Sequence, residues 1–160
     1  ILGGSLHVVM HAMGKITLFM CAGSIYVATH KTNISQMTGL GRAMPITFIA
    51  FLIGSLSIIG LPPLGGSWSK WLLIMGAADA EQLAMIGILL ISSLLNVAYL
   101  LPLVGKGFFL KATTQISPQK FAESPTLVWA PPAFTAMGCI VLFFYAGHIQ
   151  AFLMPIIAAH

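Results

Sequence analysis

The sequence predicts an all-α membrane protein, a polytopic helical bundle of four spans, one of them a discontinuous (broken) helix. Three observations carry that expectation. Hydrophobic residues fill 58% of the 160 positions and charged residues only 6%, with a mean hydropathy of +0.98. Soluble domains of this length do not have that balance. The apolar stretches reach the length of about 20 residues that a bilayer crossing needs, and they lack the apolar–polar alternation of a transmembrane barrel. Finally, residues 46–78 form a 33-residue apolar run interrupted by Gly60-Leu61-Pro62-Pro63-Leu64-Gly65-Gly66. That is too long for one crossing and too short for two joined by a proper loop.

The first span covers about 5–29 and is apolar except for His7, His11 and Lys15. Those three recur at i, i+4 and i+8, so they share one helix stripe about 12 Å long. The loop 30–45 follows, with His30, Lys31, Asn33, Ser35, Gly39, Gly41, Arg42 and Pro45, which are turn and helix-start residues. The second span is the interrupted run. Pro62 and Pro63 lack an N–H, Pro62 disfavours a helical Leu61, and the glycines loosen the backbone further. Two half-helices, 46–59 and 67–78, are expected around a break at 60–66. Irregular backbone survives at membrane depth only where protein buries it or a water-filled cavity borders it. Asp79 to Gln82 make a short acidic connection to the third span, about 83–105, which holds Ser92, Ser93 and Asn96 and is open to a kink at Pro102. Residues 106–132 are the longest polar stretch, with Phe108-Phe109-Leu110 and Leu127-Val128-Trp129 apolar enough to lie along the interface. The last span covers about 133–157.

Charge sets the expected topology. Lys31 and Arg42 lie in the first loop, and Lys106, Lys111 and Lys120 in the third, while the middle connection holds only Asp79 and Glu81. Four crossings put the two basic loops on one side, and the positive-inside rule makes that side cytoplasmic, with both chain ends outside. The net charge of +4 is spread over loops and spans and forms no patch for nucleic acid. The chain opens at Ile1 directly into a membrane helix, which suggests a piece of a longer protein.

Lys70, one turn into the second half-helix, is the strongest candidate for chemistry. A lysine inside a span needs water, a partner or deprotonation. Burial and the positive end of its own half-helix oppose its charge, whereas the carbonyl end of the first half-helix, near Ile59 and Gly60, favours it. A lysine balanced in this way can load and release a proton. Its alternative is to snorkel to the interface. The His7–His11–Lys15 stripe is the second candidate, two imidazoles and an amine able to pass protons with the help of water. HxxxH is also a metal-ligand spacing, but no third ligand lies near it and Lys15 repels a cation, so no metal is expected. The bland alternative is a set of hydrogen bonds between packed helices. A transport role predicts that His7, His11, Lys15 and Lys70 face one hydrated cavity. A purely structural membrane scaffold predicts a snorkelling Lys70 and dry histidines. Ser92, Ser93 and Asn96 read as interhelical hydrogen-bonding groups, His148 as a packed lone histidine, and Glu123 as an ordinary loop charge. Asp79 and Glu81 read as a solvated turn. Trp68, Trp71 and Trp129 are candidate interfacial anchors. Cys21 and Cys139 sit in apolar runs without ligand spacing and read as buried, inert thiols. No nucleophile elbow, phosphate loop or paired-carboxylate site is present, no span contains a carboxylate, and no cofactor is expected.

These residues match a known pattern. His7-x-x-x-His11-x-x-x-Lys15 with Ile16-Thr17-Leu18-Phe19 and Ala22-Gly23 resembles the HxxxHxxxKxxLF…AG helix of antiporter-like proton-pumping subunits. Gly39-Leu40 and Arg42-Ala43-Met44-Pro45 resemble the loop that follows it. Gly60-Leu61-Pro62-Pro63 through Gly65, Gly66 and Lys70 resembles their GxPP…GFxxK broken helix, with Ser67 where the family usually has Phe. The family includes the D and A subunits of Mrp-type monovalent cation/proton antiporters, the large antiporter-like subunits of respiratory complex I (NADH-quinone oxidoreductase), and related hydrogenases. Residues 92–102 look most like the Mrp D branch. The resemblance implies that residues 1–160 are the C-terminal part of a longer proton-conducting membrane domain. It implies proton transfer at Lys70 and a hydrated axis along His7, His11 and Lys15. It also implies partner membrane subunits of a multisubunit antiporter or complex I-like assembly, and protons exchanged with Na+ or K+. The expected setting is the lipid bilayer of a prokaryotic cell (inner) membrane.

Overall fold

The computed structural model describes residues 1–110 and 123–158, all of them helix, turn or irregular backbone and none in a strand. Helix α1 runs Leu2–Thr29. A 3-10 turn at Ile34–Met37 and the one-turn α2, Leu40–Ala43, lead into α3, Pro45–Ile59. Then come α4, Gly66–Asp79, α5, Leu83–Phe109, and α6, Thr126–Ala158. Helices α1, α5 and α6 are each long and apolar enough to cross a membrane, while α3 is a shorter apolar helix. The half-helix pair α3 and α4 makes up the fourth, discontinuous span.

The break is built as its residues dictate. Pro45 opens α3 at a position that needs no N–H. Gly60 closes it in the left-handed region, φ 89°, and its N–H returns to the Leu56 carbonyl. Across the break, α4 starts at Gly66 against the end of α3, so close that a Cβ there would meet the Ser57 carbonyl oxygen. The Ser67 hydroxyl holds the Leu64 carbonyl at 2.8 Å, and the Gly65 N–H reaches Cys139 of α6 at 3.1 Å. The irregular segment is thus buried against α6 on one side.

Two boundaries differ from expectation. Helix α6 begins at Thr126, seven residues before the expected 133, and runs through Pro131 and Pro132. Pro131 and Pro132 remove the two bonds that their N–H groups would have made to the Leu127 and Val128 carbonyls near the start of α6, and the helix continues past them. Leu127-Val128-Trp129 are therefore residues at the start of α6 and not part of the preceding connection. Helix α5 likewise passes Pro102 and ends at Phe109, not 105, so Phe108 and Phe109 close a span too. Lys106 sits in its last turn, where a cation meets the negative helix end, and Arg42 Nε donates to the Phe108 carbonyl at 2.9 Å. Gly39 N–H also bonds the Lys106 carbonyl at 3.1 Å. The first and third connections accordingly meet at one end of the bundle, as the charge pattern requires. Lys111 and Lys120 lie outside the described residues.

Helix α1 is the central element, packed by α3, α4 and α6. One core cluster joins Cys21, Ala50, Phe51, Ile58, Ile59, Leu100, Val104 and Ala136. A second joins Ile25, Leu40, Met44 and Phe48 at the basic end, and a third joins Leu6, Met10 and Ala146 at the other. Helix α5 lies outermost, with only 6% of its apolar window buried, so it contributes surface more than core. Cys21 and Cys139 are buried and unbridged.

Candidate functional site

The broken helix brings Lys70 back to its own chain. Its Nζ donates to the Ile59 carbonyl at 2.9 Å and to the Ser93 hydroxyl at 2.8 Å. The carbonyl is the last of α3, with no following N–H to claim it, because Gly60 N–H goes to Leu56 and Pro62 and Pro63 have none. Ser93 in turn donates to Leu89 of its own helix at 3.0 Å. Half-buried, Lys70 therefore bridges α3 and α5 and turns into the break instead of along the helix toward an interface. It borders a cavity of about 720 Å³ whose remaining wall is largely apolar, with Leu61, Trp68, Trp71, Leu94 and Phe143. Trp68 and Trp71 line this cavity and are also exposed at the surface.

The α1 stripe reaches the same half-helix by another contact. His7 Nδ1 lies 2.9 Å from the Ser69 hydroxyl, which also lies 3.1 Å from the Gly66 carbonyl. The His7 and His11 rings stack with centroids 5.0 Å apart. His11 and Lys15 then border a second cavity of about 510 Å³ with Ser92, Asn96 and Tyr99. Tyr99 donates to the Asn96 side chain one turn earlier on α5.

Among the described residues, Lys70 and the His11–Lys15 pair border different cavities. Lys70 borders the first and His11 and Lys15 the second, while His7 is held between α1 and α4 by Ser69. Ile58 and Ser92 line one cavity while their neighbours Ile59 and Ser93 line the other, so α3 and α5 together form the wall between them. The physical reason is that Ile58 and Ile59 are buried core residues that close α3 against α5 at that level. Among the described residues no group of three His, Cys, Asp or Glu converges as a metal site.

Sequence reasoning gave Ser69 no role and read Glu123 as a loop charge, whereas Ser93, read as an interhelical hydrogen-bonding group, is one, with Lys70 of α4 as its partner. Glu123 instead accepts hydrogen bonds from Ile46 N–H at 2.6 Å, Thr47 N–H at 3.2 Å and Thr47 Oγ1 at 2.8 Å, capping α3. Nothing local marks a carboxylate 76 residues distant as a helix cap. His148 is also placed differently, exposed on α6 with its ring 5.5 Å from that of Tyr145 on the same helix. Asp79 and Glu81 are exposed at their turn.

Comparison with known proteins decides the family. The model of the NADH:quinone oxidoreductase/Mrp antiporter transmembrane family matches residues 3–96, more than half of the chain. The chain belongs to this family. Relatives within it include NADH-quinone oxidoreductase subunit N of Desulforudis audaxviator, 37% identical over 77% of this chain and 24% of that protein. NADH-quinone oxidoreductase subunit L of Rickettsia conorii is 32% identical over 94% of this chain and 22% of its own length. NADH-ubiquinone oxidoreductase chain 5 of Sus scrofa is 43% identical over 59% of this chain and 16% of its own. The chain spans about a quarter or less of the length of these relatives. A chain in the solved Mrp complex from Dietzia sp. DQ12-45-1b superposes with a TM-score of 0.80 over 94% of this chain and 36% of that one, at 20% identity. That likeness shows a shared helical-bundle fold, and the family membership agrees with it.

Proposed function

We propose that this chain is the C-terminal, four-span portion of a proton-translocating antiporter-like membrane subunit. Lys70 is the proton-loading residue, and His7, His11 and Lys15 are its relay along α1. The observation that carries the reading is the grip on Lys70: its ammonium is held by the terminal carbonyl of one half-helix and a hydroxyl of a third helix, beside a cavity. Broken helices use their carbonyl ends for cations in this way, and an ionisable residue inside a span points to an ion path. The stacked histidines and the Ser69 contact carry the α1 stripe to the same half-helix. Because α3 and α5 stand between the two cavities, the relay passes through Ser69 and α4, or through a movement of α4 relative to α1, and not through one continuous pool.

Two assemblies fit. Residues 92–102 favour an Mrp-type cation/proton antiporter of the D branch, exchanging protons for Na+ or K+. The relatives, among them NADH-quinone oxidoreductase subunits N and L, favour an NADH-quinone oxidoreductase, in which distant redox chemistry drives the same path. In either, the chain works among other membrane subunits, with its basic loops in the cytoplasm. The deciding experiment replaces Lys70 with Ala in the full-length parent complex and follows proton flux in membrane vesicles. Flux is expected to collapse while the complex still assembles. Normal flux sinks the assignment and leaves Lys70 and the break as structure. Dependence of wild-type flux on NADH and quinone, or on a Na+ or K+ gradient, separates the two assemblies.

A further inference from the structure

We infer that Glu123 is a positioning residue for Lys70, acting through α3 from the basic end of the bundle; this rests on the function proposed above. Helix α3 has no side-chain cap of its own, being preceded by Met44 and opened by Pro45. Its first-turn N–H groups need acceptors. The acceptor comes from 76 or 77 residues away: Glu123 Oε1 takes Ile46 N–H at 2.6 Å and Thr47 N–H at 3.2 Å, and Oε2 takes the Thr47 hydroxyl at 2.8 Å. The Thr47 hydroxyl lies 3.2 Å from Ser24 of α1, and the Ser24 hydroxyl 2.5 Å from Ser124 at the approach to α6. Those three hydroxyl residues are buried, at 0%, 0% and 3% exposure. A buried polar network of this kind specifies one arrangement of the elements that share it. One carboxylate therefore ties α3 to α1 and to the lead-in of α6, with its charge on the positive end of the α3 dipole.

The other end of the same helix holds the functional contact. Ile59, the last residue of α3, gives its carbonyl to Lys70 at 2.9 Å. Between the two ends lie 15 helical residues without an internal proline, buried along much of their length. Such a rod, about 22 Å long, is embedded in close-packed side chains, so it passes on an axial shift instead of absorbing it. Fixing its N-terminus sets the height of the Ile59 carbonyl opposite Lys70. Three donors converge on the Glu123 carboxylate, which suits it to hold a helix in place and not to carry protons.

The test uses the full-length parent complex in vesicles, with K70A measured alongside. E123A is expected to lower proton flux about tenfold in assembled complex, the equivalent of a lost helix cap, and to displace the pH of half-maximal flux. E123Q keeps an oxygen for both backbone N–H groups and is expected to stay within about twofold of wild type. If E123A does not assemble, T47V, which removes only the hydroxyl link, is expected to lose flux about threefold with the same displaced pH profile. Wild-type flux and pH profile in E123A or in T47V overturn the inference. So do equal losses in E123A and E123Q with an unmoved pH profile, which assign the effect to the charge itself. If K70A retains full flux, the proposed function fails on its own account, whatever Glu123 does.

Discussion

Lys70 commits two of the three N–H donors of its ammonium to protein, one to the Ile59 carbonyl and one to Ser93. The two acceptors differ in kind. The carbonyl belongs to the end of a helix and moves with α3, whereas the hydroxyl belongs to α5 and is itself tied to Leu89. Removing the hydroxyl leaves Lys70 with a single acceptor. A hydrogen bond to a charged group is worth about 1.5–3 kcal/mol, so Ser93→Ala is expected to reduce proton flux in the parent complex about tenfold. Ser92→Ala, on the other cavity, is expected to change it by less than about twofold. Equal effects of the two, measured in the same vesicles, would mean that the Ser93 contact plays no part in proton loading.

At the scale of elements, the break depends on Gly66 more than on the prolines. A Cβ at this position would overlap the Ser57 carbonyl oxygen, which leaves no room for a methyl group. Gly66→Ala therefore has to push α4 off α3, and about 2–4 kcal/mol of destabilisation is expected. It should be visible as a lower melting temperature of the solubilised complex. Gly76→Ala is the control, since a Cβ there meets nothing within 4 Å. It is expected to leave stability unchanged or raise it by up to about 1 kcal/mol. A Gly66→Ala protein as stable as wild type would show that the half-helices tolerate a wider gap than this packing implies. The half-helices themselves were legible from the sequence to within one residue at each end, because proline chemistry, glycine freedom and hydrocarbon thickness all act locally. The Ile59 carbonyl was legible for the same reason, as the end of the helix beside Lys70. The start of α6 was not: Pro131 and Pro132 read locally as a helix boundary, whereas α6 runs through them. Ser93 was legible as an interhelical hydrogen-bonding group but its partner Lys70 was not, and the roles of Ser69 and Glu123 were invisible, because these depend on which helices become neighbours, a property of packing and not of spacing.

For the molecule as a whole, the arrangement is a central α1 with half-helices on one side, α6 on another, and α5 outermost. Exposed apolar side chains such as Leu83, Ile88 and Leu94 cover α5, as expected of a surface that meets lipid or further helices and not water. The buried thiols report on the integrity of this packing. Cys21 is 0% exposed and Cys139 1%, both in contacts that join α1, α3 and α6. Neither is expected to react with a small thiol reagent in the folded complex, and both are expected to react in step with the loss of helical signal on heating. Labelling of either at low temperature would indicate that the α1–α6 seam opens without global unfolding. The two basic connections meet at one end, where Arg42 holds α5 and Glu123 holds α3, so that end is cross-braced by charge while the opposite end turns on the short, exposed acidic link at Asp79–Gln82.

The length of α3 also bears on how the chain enters a membrane during synthesis. Its 15 residues, rising about 1.5 Å each, reach about 22 Å, short of the roughly 30 Å hydrocarbon layer. The terminal carbonyl that Lys70 later occupies would face lipid if α3 entered alone. Partitioning therefore has to wait until α4 has emerged and delivered its lysine, and α3, α4 and the tight turn into α5 enter together as one late unit.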